Sequence, residues 1–382
     1  MARREAERFE TLIVGGAQAG LAAAYYLTRR GRSVVVLDAS ERVGDSWRKR
    51  WPSLRLYSPA GFDGLPGMQF PAPRHSYPTG YEMADYLEAY AQRFALPVRT
   101  GIRAEGLSRN GDGYLVKAGE HRFEADNVIV ATGAFQAPFI PEFAAELDPG
   151  ITQLHSNDYR SPAQLQEGSV LVVGAAHSGG DIAFEVALAG YSTVLSGRDT
   201  GQIPVPLESR RMRMTWPLLR FLWTRVLTVD TAIGRKKRAE IRTHGGPLLR
   251  VKAADLEAAG VGRVFVRTVG VQSGLPVLDG GRVLDVANVI WCTGFRPDYS
   301  WIDAPMSLDE DGYPEQTRGA VKSSPGLYFL GLPFLHSFSS MLILGAGRDA
   351  ERVVKHIASK ANSRRMRRTR PSRALAEDGV RP

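Results

Sequence analysis

Two stretches of this chain share one grammar: an apolar strand-like run, a turn of glycine and other small residues, a helix-like run, and a second strand-like run. The first spans Leu12 to Val14, Gly15 to Gly20, Leu21 to Arg30 and Ser33 to Leu37. The second spans Ser169 to Val173, Gly174 to Gly179, Gly180 to Ala189 and Ser192 to Leu195. Strands joined through a helix pair parallel, because a tight turn can only join antiparallel neighbours. The chain is therefore confined to an α/β fold, read here as two Rossmann-like dinucleotide-binding domains with the second inserted into the first. The parsimonious layout gives residues 1–150 and 285–360 to the first domain, 151–284 to the second, and 361–382 to a basic, flexible tail.

The first turn, Gly15-Gly16-Ala17-Gln18-Ala19-Gly20, lies between a strand and a helix. Backbone N–H groups and the helix N-terminus there can receive a pyrophosphate. Asp38 ends the next strand, placed to accept hydrogen bonds from the ribose hydroxyls of an adenosine. The departure from the usual pattern is Ala17 at the central glycine.

Gly174-Ala175-Ala176-His177-Ser178-Gly179 repeats the turn, again with alanine at its centre, Ala176. The strand that follows ends in Ser196-Gly197-Arg198, a hydroxyl and a guanidinium where an acid would otherwise meet the ribose. That favours a 2′-phosphate and hence NADPH, while the adjacent Asp199 leaves NADH open. Each unit also has a later apolar strand ending in Thr-Gly: Ala125 to Ala131 before Thr132-Gly133, and Val286 to Cys292 before Thr293-Gly294.

At 382 residues the chain suffices for about two domains with real cores. Its single cysteine, Cys292, excludes an internal disulfide, a redox dithiol and a cysteine-based metal centre, so no metal site is expected and a reducing cytoplasm fits best. The apolar run Thr11 to Leu27 imitates a signal peptide but is broken by glycines, and no stretch reads as a spanning helix. The net charge of +9 gathers in Arg210 to Arg250 and in a tail bearing Arg364, Arg365, Arg367, Arg368, Arg370 and Arg373. No nucleic-acid module accompanies it, so solvated arginines that steer an anionic cofactor are the favoured reading. The aromatic and basic segment Trp216 to Trp223 reads as an interdomain cover, with a membrane interface as the alternative. Leu54 to Tyr81, rich in proline and aromatics, reads as a long ordered excursion serving a site.

On these residues the chain resembles the flavin-containing monooxygenase superfamily, especially its bacterial CzcO-like and plant YUCCA-type members. The resemblance runs to about residue 360 and rests on Gly44-Asp45-Ser46-Trp47-Arg48, Leu65-Pro66-Gly67, Tyr77-Pro78-Thr79, Ala131-Thr132-Gly133, Leu154 to Tyr159, Thr293 to Asp298 and Gly326 to Gly331. It implies a glutathione-reductase-like pair of domains, with FAD on Gly15, Ala17, Gln18, Ala19, Gly20 and Asp38. NADPH is implied on Gly174, Ala176, Ser178, Gly179, Ser196 and Arg198. Ser46 and Trp47 would flank the flavin, Thr293-Gly294 would lie beside the cofactors, and Arg348 would sit on a late helix start near the flavin. Tyr57 departs from the asparagine of animal-type members, and His155 with Tyr159 matches the monooxygenase form over the Baeyer–Villiger form.

The implied activity is NADPH-consuming insertion of one atom of O2 into a small organic substrate through a flavin hydroperoxide, by N- or S-oxygenation or oxidative decarboxylation. The alternatives are an NADPH oxidase or flavin reductase that releases peroxide, and a noncatalytic nucleotide-sensing protein. A homo-oligomer is compatible with either.

Overall fold

A computed structural model describes residues 5–369, with side chains omitted for Thr243 and for 362–369. Two sheets organise the chain. The first runs in the order Ile302–Asp303, Gly106–Asn110, Gly113–Ala118, His121–Val130, Glu7–Val14, Val34–Leu37 and Val98–Arg99, and Leu327–Phe329 also pairs with His121–Val130. The part around Glu7–Val14 is parallel, whereas Gly106–Asn110, Gly113–Ala118 and His121–Val130 form an antiparallel meander. The second sheet is wholly parallel, in the order Gly262–Val264, Thr193–Ser196, Val170–Val173, Asn288–Trp291 and Thr152–His155.

The parallel strands are short, apolar and buried on both faces: Val34–Leu37, Val170–Val173 and Asn288–Trp291 are buried at every residue. That burial is what a parallel sheet covered by helices demands. Helix Gln18–Thr28 covers the first sheet and packs against the C-terminal helix Ile343–Thr369. Helix His177–Leu188 does the same for the second. Both helices begin three residues earlier than their apolar spacing suggests, because the turn alanines Ala17 and Ala176 themselves serve as N-caps.

The sequence-based return to the first domain at residue 285 falls too early. Asn288–Trp291 lies inside the second sheet, and the chain rejoins the first sheet only at Ile302–Asp303 and Leu327–Phe329. Apolar strands that end in Thr-Gly look alike wherever they pair, so the pattern alone cannot assign this one. The C-terminal helix also runs past residue 361 to Thr369, and the rest of the expected basic tail lies outside the described residues.

Candidate dinucleotide cleft

The first turn is built around two obligatory glycines. Gly15 has φ +107°, and a Cβ there would sit 2.5 Å from the Ala131 carbonyl oxygen. A Cβ on Gly20 would sit 1.9 Å from the Gly15 carbonyl oxygen, so helix and turn meet backbone to backbone. Ala17, between them, is extended at φ −84°, ψ −171°, a conformation open to any residue. Its methyl is therefore not a backbone conflict. The first helical turn carries no acidic side chain and no side-chain cap, which leaves its N–H groups directed at the turn. Asp38 closes the arrangement: Oδ2 accepts the Gly16 N–H at 2.5 Å and Oδ1 the Ser40 N–H at 2.7 Å. Each oxygen keeps a lone pair for a ribose hydroxyl. These residues fit FAD.

The second turn repeats the geometry almost atom for atom. Gly174 has φ +110°, and a Cβ there would meet the Cys292 carbonyl oxygen at 2.3 Å; one on Gly179 would meet the Gly174 carbonyl oxygen at 1.8 Å. Ala176 is again extended, at φ −78°, ψ −179°. The difference lies one shell out. Where the first unit pairs Gly16 with Asp38, the second pairs Ala175 with Gly197, and a Cβ on Gly197 would lie 2.7 Å from the Ala175 nitrogen. A carboxylate has no room there. Arg198 follows and is exposed, while Asp199 lies 3.7 Å from Arg263.

The structure brings Gly174, Ala176, Ser178, Gly179 and Arg198 to one edge of the second sheet. Ser196 is elsewhere: it is fully buried, and its hydroxyl pairs with that of Thr268 at 2.8 Å. Ser196 is the last residue of the strand, where Thr268 covers its side chain, whereas Arg198 lies beyond the strand end.

The two Thr-Gly endings meet where the sheets adjoin: Phe295–Arg296 pairs with Ala137–Pro138, and the Phe139 N–H donates to the Gly294 carbonyl at 2.9 Å. Gly133 and Gly294 are both left-handed, at φ +74° and +85°. The Thr293 hydroxyl donates to the Phe139 carbonyl. His155 Nδ1 accepts from the Asn157 N–H at 3.1 Å, which leaves the proton on Nε2 to donate to the Gly294 carbonyl at 3.0 Å. Burial lowers its pKa, so His155 is a neutral strut under the second Thr-Gly turn. Burial pushes the Cys292 thiol up to about 12, and its carbonyl rather than its sulfur does the structural work.

Sequence reasoning missed Arg50. Its guanidinium lies against the edge-on pair of Phe135 and Phe295 rings, 5.5 and 5.4 Å from their centroids, which are 5.3 Å apart. Burial and the neighbouring Arg160 both work against its charge. A half-buried cation held by aromatic rings beside both Thr-Gly turns is ready for an anion. Its only signal was adjacency to the Gly44 to Arg48 motif.

The excursion Leu54 to Tyr81 and the segment Arg210 to Val226 pack together in one apolar cluster. The Phe62 and Trp216 rings stack at 5.4 Å, Trp216 Nε1 donates to the Tyr77 hydroxyl at 3.2 Å, and that hydroxyl donates to the Leu207 carbonyl at 2.5 Å. Tyr57 donates to Asp181 at 2.7 Å, joining the excursion to the helix of the second turn, and its ring meets His177 edge-on. Burial raises the pKa of both Tyr57 and Asp181. Trp47 Nε1 reaches Gln18 Oε1 at 3.4 Å, which places Trp47 beside the first turn, while Ser46 is exposed. Arg348 donates to the Thr224 carbonyl at 3.3 Å and the Ser339 hydroxyl at 3.1 Å, tying the cover to the start of the last helix.

A family model described as pyridine nucleotide-disulphide oxidoreductase matches residues 12–213. The chain is 37% identical over 349 residues to a CzcO-like oxidoreductase of Geobacillus kaustophilus, covering 91% of this chain and 98% of that one. It is 26% identical over 403 residues to the probable indole-3-pyruvate monooxygenase YUCCA3 of Arabidopsis thaliana, covering 95% and 90%. The solved flavin-containing monooxygenase of Stenotrophomonas maltophilia superposes with a TM-score of 0.71 at 27% identity, covering 93% and 99%.

Proposed function

The chain belongs to the pyridine nucleotide-disulphide oxidoreductase family and, with its CzcO-like relatives, to the flavin monooxygenase superfamily, and from that premise we propose that it consumes NADPH and O2 to place one oxygen atom on a small organic substrate. It is a flavin-dependent monooxygenase whose cofactors are FAD and NADP(H). A disulfide relay requires two thiols, and this sequence has one.

The observation that carries the NADPH assignment is the exchange of Gly16 and Asp38 for Ala175 and Gly197. It removes the carboxylate that would repel a 2′-phosphate and leaves Arg198 at the same rim, with Asp199 drawn toward Arg263. FAD, when bound, accepts hydride and activates O2. The protein's share is positional. The first turn and Asp38 hold FAD, the second turn and Arg198 hold NADPH, and Arg50 supplies a cation between the Thr-Gly turns. The stacked cover of Phe62, Tyr77 and Trp216 excludes water. The substrate is a nitrogen or sulfur nucleophile or an α-keto acid, and a single cysteine, with no disulfide to form, suits a reducing cytoplasm.

The test is anaerobic reduction of the bound flavin by NADPH and NADH in wild type and Arg198→Ala, followed by admission of oxygen with peroxide detection. Loss of an exposed charge-assisted contact to a phosphate costs about 1.5 kcal/mol, roughly tenfold in KM for NADPH, with NADH unaffected. Equal losses for both nucleotides would remove Arg198 from the 2′-phosphate. Immediate stoichiometric peroxide, unchanged by candidate substrates, would identify an oxidase instead.

A further inference from the structure

Residues 210–250 hold eleven lysines and arginines against two acids, an excess of nine that equals the net charge of the whole chain. The cover helix Arg210–Phe221 and the turn that follows it, to Val229, contain no acid at all. Met212 and Trp216 face inward, at 5% and 3% exposure, against Tyr77 and Phe62. On the opposite side, Met214, Leu218 and Phe221 recur at i, i+4 and i+7 and are 75%, 58% and 57% exposed. Arg211, Arg213 and Arg225 are exposed beside them. The next helix, Ala232–Thr243, adds Ile233 at 60% exposure with Arg235, Lys236 and Lys237 in solvent.

We propose that the outer face of Arg210–Phe221 docks this enzyme on an anionic phospholipid surface. The two halves of the observation select that partner together. An apolar stripe of three large side chains gains by leaving water for the acyl boundary, while arginines without acidic partners gain from the negative headgroups. A nucleic acid would satisfy the arginines and leave the stripe in water. A second copy would cover the stripe but set the same arginines against one another across a twofold axis. No helix among the described residues is long and apolar enough to cross a membrane, so the attachment is peripheral and reversible.

The experiment is flotation of the flavin-loaded enzyme with vesicles of phosphatidylcholine alone and of phosphatidylcholine mixed with phosphatidylglycerol, at low and high salt. Binding to the mixed vesicles, little to the neutral ones, and release by salt are expected. Neutralising one arginine, as in Arg213→Gln, should lower the partition coefficient about fivefold at low salt. Leu218→Glu should abolish flotation with flavin content and the rate of anaerobic flavin reduction unchanged, because its side chain is outside the cleft. No flotation with mixed vesicles, or flotation that Leu218→Glu leaves intact, overturns the proposal. Lipid-free dimerisation that Leu218→Glu abolishes, with no vesicle binding, would reassign the face to a second copy.

Discussion

The paired phosphate turns lead to one sharp contrast: Gly20→Ala and Gly179→Ala should be ruinous, whereas Ala17→Gly and Ala176→Gly should leave cofactor binding intact. A methyl on Gly20 or Gly179 lands 1.9 or 1.8 Å from a turn carbonyl oxygen, where real Cβ contacts lie beyond 3 Å. Relief requires the helix N-terminus to move by more than an ångström. Overpacking that must displace backbone costs about 3 kcal/mol or more, a large part of a domain's 5–15 kcal/mol. The same movement withdraws the N–H groups that hold the pyrophosphate. Ala17 and Ala176 are extended N-cap residues, a place where glycine is better than alanine, so their replacement should cost no stability and raise it by up to about 1 kcal/mol. The assay is the ratio of flavin to protein absorbance on purification, with Tm followed by flavin fluorescence, and nicotinamide affinity for the second-turn pair. Gly20→Ala should emerge without flavin and Gly179→Ala should keep flavin but lose nucleotide binding. A Gly20→Ala protein with full flavin and wild-type Tm would refute the close-approach argument, and loss of flavin in Ala17→Gly would refute the claim that the central position is free.

Two further outcomes follow from buried charge. Asp63 is fully buried with Oδ1 accepting from the Ser58 hydroxyl at 2.5 Å, and burial raises its carboxyl to about 8. A carboxyl raised on folding stays protonated in the native state while the unfolded chain ionises, so it costs stability progressively from pH about 4 to about 8, by up to about 5 kcal/mol. Asp63→Asn should therefore be less stable than wild type near pH 4, where wild type loses almost nothing and the variant adds an unpaired amide worth about 1–3 kcal/mol, and more stable near pH 8. Parallel Tm-against-pH curves for the two proteins would refute this. At the cleft, Arg50→Ala should raise KM for NADPH and NADH together by about 10- to 100-fold with flavin content intact, since a lost contact from a partly desolvated cation to a phosphate is worth about 1.5–3 kcal/mol. Steady-state kinetics with both nucleotides check it, and unchanged KM values would mean the arginine only braces Phe135 and Phe295.

What the sequence determined by itself was local. Gly15, Gly20, Gly174 and Gly179 were legible because backbone conformation and helix–turn contact demand glycine at a fixed spacing. Asp38 was legible because it closes the next strand, and the parallel strands because burial on both faces makes them continuous apolar runs. Tertiary structure decided everything that depends on partners far along the chain. Asn288–Trp291 belongs to the second sheet because it pairs with Val170–Val173, which no local pattern states. Ser196 points into the core because Thr268 awaits its hydroxyl. The missing acid of the second unit is explained only when Gly197 is seen against Ala175. Arg50 became a candidate only when folding brought Phe135 and Phe295, far away in sequence, together beside its guanidinium. Covalent spacing carries the backbone's requirements, whereas a side chain's surroundings are set by packing, and packing exists only once both sheets have formed.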